Sequence, residues 1–90
     1  MDRQIATQLL EEELARARQL GYRALAAQVE AGSITKDVVG PDGKDYQIEV
    51  SAFWDDKENG PIRLIVAIDD GGWRAFKPLT VDDIVGPEPA

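Results

Sequence analysis

Cysteine and histidine are both absent from this chain, and each absence removes a class of chemistry. Without cysteine there is no disulfide, no thiolate nucleophile and no zinc–thiolate site. Without histidine, no Ser-His or Cys-His pair and no imidazole metal ligand can be assembled. Acid–base work would fall to carboxylates, lysines or tyrosines, whose pKa values must move far to act near neutrality. A chain of 90 residues makes one domain at most, with little interior in which to move them. Bases are also scarce, ten against 17 acids, for a net charge of −7. That balance repels nucleic-acid phosphate and anionic lipid and suits a basic protein partner. No apolar run approaches the roughly 20 residues that span a bilayer. Met1-Asp2-Arg3-Gln4 lacks the basic start and apolar stretch of a secretory signal. A small secreted domain would often carry disulfides, so the cytoplasm is the expected compartment.

What is present is a change of hydrophobic period. Over residues 3–31, Ile5, Leu9, Leu10, Leu14, Ala17, Leu20, Ala24 and Leu25 recur at helical spacing. Gly32 is a natural stop. Unbroken, that helix would be about 43 Å long, against about 30 Å for a nine-residue strand. Gly21, unfavourable inside a helix by about 1 kcal/mol, marks either a close approach to the sheet or a break into two helices. The excess length predicts a bend near it or a loosely held N-terminal end. From Ser33 the period becomes two. Residues 33–39 form a first expected strand, and Gly40-Pro41-Asp42-Gly43 supplies turn chemistry.

Tyr46, Ile48, Val50, Ala52 and Trp54 then alternate with Gln47, Glu49, Ser51 and Phe53, the clearest half-buried strand in the chain. Ile62, Leu64, Val66 and Ile68 make the inward face of a third strand, and 73–77 reads as a fourth after the Asp70-Gly71-Gly72 turn. Thr80-Val81-Asp82-Asp83 fits a capping box and one short helical turn. The expectation is an α+β domain over residues 1–86 with a tail at 87–90. In it an N-terminal helix, bent near Gly21, covers one face of a four-stranded antiparallel meander.

Three acidic doublets invite a metal or carboxylate-pair reading: Asp55-Asp56, Asp69-Asp70 and Asp82-Asp83. A meander puts residues 55–61 and 69–72 at opposite ends of the sheet, some 25 Å apart. Only Asp82 and Asp83 return to the end that holds Asp55 and Asp56, so these four are the cation candidates. Asp55 to Gly60 echoes the start of a calcium loop, yet Lys57 and Val66 stand where that pattern wants oxygen ligands. The glycines at 71–72 precede a strand and not a helix, so no phosphate loop and no cofactor is expected.

The outward sheet face gathers Phe53, Arg63 and Ile65, with Arg74 joining them if the 69–72 turn has a two-residue loop. A three-residue loop turns Trp73 and Phe76 the other way. Phe53, Arg63, Ile65 and Arg74 are the candidate contacts for a protein partner or for self-association. The leading expectation is a non-enzymatic protein-binding domain, of the immunity or antitoxin type, whose acidic surface meets a basic partner. The alternatives are a small carboxylate-dependent or cation-binding domain and a structural homodimer.

The strings Phe53-Trp54-Asp55-Asp56 and Asp69-Asp70-Gly71-Gly72-Trp73-Arg74-Ala75-Phe76, with Tyr46 to Val50 before them and Pro78-Leu79 after, resemble a small bacterial domain known from conserved hypothetical proteins. The likeness covers about residues 45 to 85. That family has no assigned activity, so the resemblance implies a compact bacterial domain and transfers no catalytic residue.

Overall fold

The computed structural model describes residues 2–69 and 79–87. Helix α1 spans Arg3–Gln19 and opens on Asp2, whose carboxylate accepts from the backbone N–H groups of Gln4 and Ile5 at 3.0 and 3.1 Å. That satisfies two of the donors a helix start leaves unpaired. Helix α2 spans Tyr22–Ala31. Between them Gly21 takes φ 87°, a conformation open to glycine at little cost. The expected bend is thus a full break into two helices. Leu20, counted above in the apolar stripe, sits past the end of α1 and is 60% exposed.

Four strands follow, β1 Ile34–Val39, β2 Asp45–Trp54, β3 Ile62–Asp69 and β4 Leu79–Val85, antiparallel throughout and adjacent in chain order. The meander stands. The fourth strand corrects the expected helical turn at Thr80–Asp83, because Leu79 to Val85 pairs residue for residue with β3, from Ile68↔Leu79 to Ile62↔Val85. Thr80, Val81, Ile84 and Val85 are β-branched and fit a pleated surface, and pairing along a whole strand edge outweighs a single turn of helix. The strand expected at 73–77, the turn at 70–72, Arg74 and the orientations of Trp73 and Phe76 lie outside the described residues.

One face of the sheet is covered. α1 lies over β3 and β4, and α2 lies chiefly over β2. Between the layers Ala6, Leu10, Ala17 and Leu25 meet Tyr46, Ile48, Val50, Ala52, Ile62, Leu64, Val66 and Ile68. Trp54, expected in the core, packs partly buried at its margin. β1 stands at the edge of this cover. Ile34 on its helix-side face is 52% exposed.

The β1–β2 turn is closed by Gly40 N–H to Lys44 carbonyl at 2.8 Å and Gly43 N–H to Gly40 carbonyl at 2.9 Å. Asp42 accepts from the Tyr46 hydroxyl at 2.8 Å, which brings the buried tyrosine ring against Gly40. A Cβ at position 40 would sit 2.7 Å from that ring. We therefore expect Gly40→Ala to cost about 1–3 kcal/mol by overpacking, a fall of roughly 4–8 °C in Tm for each kcal/mol. Thermal melts followed by circular dichroism check this, and an unchanged Tm would show that the turn yields freely.

Candidate functional site

Among the described residues no helix or strand covers the other sheet face, which carries the residues expected to bind a partner. Strand parity puts Thr35, Asp37 and Val39 of β1 there, with Asp45, Gln47, Glu49, Ser51 and Phe53 of β2. Arg63, Ile65, Ala67 and Asp69 of β3 and Thr80, Asp82 and Ile84 of β4 complete the face. In one row Phe53 stands opposite Arg63, and Arg63 opposite Ile84. Phe53 is 51% exposed and Ile84 44%, while Ile65 beside them is half-buried. Ile84 was not among the expected contacts, because a helical turn at 80–83 hid its place in this row.

Arg63 is the centre of the row. Its Nη2 and Nε lie 2.9 and 3.0 Å from Asp55 Oδ1, and its Nη1 donates to Asp82 Oδ2. Asp55, and after it Asp82, hold the guanidinium above its ordinary pKa. The topology thus does bring Asp55 and Asp82 to one end of the sheet, as the meander required, but an arginine fills the space between them.

Asp83, one residue on, points to the other face and pairs with Arg18 of α1 at 2.8 Å. Asp56 is exposed in the β2–β3 connection. There the Asp55 N–H meets the Pro61 carbonyl at 2.9 Å, the Gly60 N–H meets the Lys57 carbonyl at 3.0 Å, and Asn59 takes φ 68°. This is a closed turn. Among the described residues, no group of three or more His, Cys, Asp or Glu side chains is placed to hold a metal ion. Asp69 stands opposite Gln47, at the far end of β2 from Trp54 and Asp55.

The helix side holds a group that sequence patterning missed. Glu13 is buried, its side chain 7% exposed, and its two oxygens receive Arg16 Nη2 and Lys36 Nζ, each at 2.8 Å. Burial pushes this carboxyl up, but the hydrogen bonds from Lys36 and Arg16 outweigh it and hold it below the usual carboxylate range. The signal was present: Glu13 falls three residues after Leu10 and four before Ala17, on the apolar stripe itself. Gln28, also buried, donates through Nε2 to the Val50 carbonyl at 3.2 Å and ties α2 to β2.

No protein-family model, no curated protein and no solved structure matches the chain. Among the described residues no helix is long and apolar enough to cross a membrane.

Two outcomes follow. Calcium or magnesium titration watched by NMR should leave Asp55, Asp56, Asp82 and Asp83 at background shifts, since the Arg63 guanidinium already occupies the space between Asp55 and Asp82. Saturable shifts shared by all four would reverse that assignment. Because Glu13 is depressed in the folded state, its stabilising share is present above the unfolded carboxylate pKa and is lost as pH falls through the folded value. Glu13→Gln should therefore lower stability by about 1–3 kcal/mol at neutral pH. It should also give a shallower acid limb in urea unfolding measured between pH 3 and 7. An acid limb as steep as that of the unmodified protein would exclude the Glu13 contribution.

Proposed function

We propose that this is a non-enzymatic, cytoplasmic protein-binding domain whose uncovered sheet face meets a basic partner. One observation carries the proposal. Among the described strand residues of that face, Asp37, Asp45, Glu49, Asp69 and Asp82 are acidic and Arg63 alone is basic. Arg63 is itself held by Asp55 and Asp82. Exposed Phe53 and Ile84 flank this clamp and offer apolar anchors inside an acidic field, the combination that gives a contact both affinity and steering. Arg63 then acts by fixing the anchors' surroundings, while the field comes from the carboxylates.

The same charge pattern disfavours face-to-face pairing of two copies, since like charges would meet. The absence of cysteine and histidine from the whole chain supports a binding role over catalysis. An immunity or antitoxin role, in which an acidic domain masks a basic protein, fits the same reading. The resemblance of residues 45 to 85 to a bacterial conserved-hypothetical family belongs with this proposal and assigns no reaction.

A photo-crosslinking residue at position 53, introduced in cells that naturally make the protein, tests it. The expected adduct is with a basic protein, and Ile84→Ser or Glu49→Lys should reduce its yield at least severalfold. Adducts that form only from a helix-side position such as Gln8, or that ignore both substitutions, would dismiss this face as the contact surface.

A further inference from the structure

The opposite side of the molecule holds a groove of about 280 Å³ between the helices and β1. Ala17, Leu20, Ile34 and Val50 give it an apolar lining, and Glu13, Arg16, Gln28 and Lys36 line the rest. Leu20 and Ile34 are two of the exposed large hydrophobic residues of the protein, and both face this one space. Arg16 and Lys36 share the single carboxylate of Glu13, so these three charges sum to +1 in a chain of net charge −7. The groove runs beside β1, which among the described residues pairs on one side only, with β2. Its other edge therefore presents backbone donors and acceptors in strand geometry.

We propose that β1 takes up an extended segment of another protein by antiparallel strand addition, with an acidic side chain flanked by apolar ones seated in this groove. Main-chain pairing to an open edge supplies affinity, and alternate side chains supply the choice of partner. On the helix side, β1 shows Ile34, Lys36 and Val38. An added strand would place an apolar residue opposite Ile34 and against Leu20, a carboxylate opposite Lys36 and near Arg16, and an apolar residue opposite Val38. On the other face Asp37 favours a lysine across from it.

A second copy of the chain is the poorer occupant. In an antiparallel pairing that keeps the two faces matched, the best-overlapping registers set Lys36 against Lys36 or Asp37 against Asp37. Like charges directly opposite one another are destabilising. The edge thus discriminates against itself and in favour of a strand of alternating opposite charge. The groove lies on the other face from the one proposed to meet a basic partner, and Asp37 is the residue that the two proposals share.

The test is an NMR titration of the whole chain with the peptide acetyl-Val-Lys-Glu-Thr-Leu-amide, and with its charge-swapped form acetyl-Val-Glu-Lys-Thr-Leu-amide. The first should shift the backbone amides of Ile34 to Val39 and the Leu20 methyls. The second, of identical composition, should bind about five- to tenfold more weakly, as expected for two cross-strand pairs turned from attractive to repulsive. Leu20→Ser, at an exposed position the fold does not need, should weaken the first peptide severalfold. Equal binding of the two peptides, or shifts that avoid β1, would overturn the proposal. So would β1 signals that broaden with protein concentration alone, which would give the edge to a second copy. Propionate producing the same shifts at Arg16 and Lys36, with the peptide adding none along β1, would reduce the groove to an anion site and overturn it too.

Discussion

The structure depends on covering one side of a four-stranded sheet with two short helices. Val66, Ile68, Leu64 and Ile62 alternate along β3 with no interruption, and each is sealed from water. Fully burying side chains of that size contributes about 1.5–3 kcal/mol apiece, so the helical layer must sit over this strand and its neighbours. A single straight helix would run off the slab. Gly21 resolves the mismatch by letting the chain turn, so that α1 serves β3 and β4 while α2 serves β2. The cover is then complete at the centre of the sheet and thin at β1.

That placement sorts the charge. Among the described residues the face away from the helices carries Asp37, Asp45, Glu49 and Asp82 exposed, with Arg63 locked beside Asp82, while the thin margin by β1 collects two cations around one buried acid. A protein that is acidic in total is therefore not acidic everywhere. Burial makes the difference at Glu13, where two donors on different elements, Arg16 on α1 and Lys36 on β1, must be held in place to keep a carboxylate out of solvent. Removing either donor would leave that charge short of partners, which makes the pairing a constraint on how α1 approaches β1.

Much of this was legible in the residues. Strands β1 to β3 follow from alternation and turn chemistry. Comparing helix length with strand length leaves a bend near Gly21 or a loose N-terminal end, between which the structure selects a break at Gly21. β4 did not follow, because Thr80-Val81-Asp82-Asp83 satisfies a local helix-start pattern, and only the free edge of β3 reveals what those residues can pair with. The same local pattern concealed Ile84. Phe53, Arg63 and Ile65 were placed on the correct face by parity alone, yet the bond from Arg63 to Asp82 needed the true course of the last strand. Glu13 escaped because a charged residue is ordinarily assigned to the wet side of a helix, and its partner on β1 lies 23 positions further along the chain, beyond the reach of any periodicity (36 against 13).

The Tyr22 hydroxyl donates to the Gly60 carbonyl at 2.7 Å, a single link between the interhelical joint and the β2–β3 connection. Gly60 lies next to Pro61, whose carbonyl holds the Asp55 N–H, and the Asp55 side chain in turn grips Arg63. A continuous series of short contacts therefore runs from the joint, around the end of the slab, to the aromatic row on its bare side. The interhelical joint and the Phe53–Arg63–Ile84 row are thus both anchored on one short connection, so the β2–β3 loop serves the helical layer and the far side of the sheet at once.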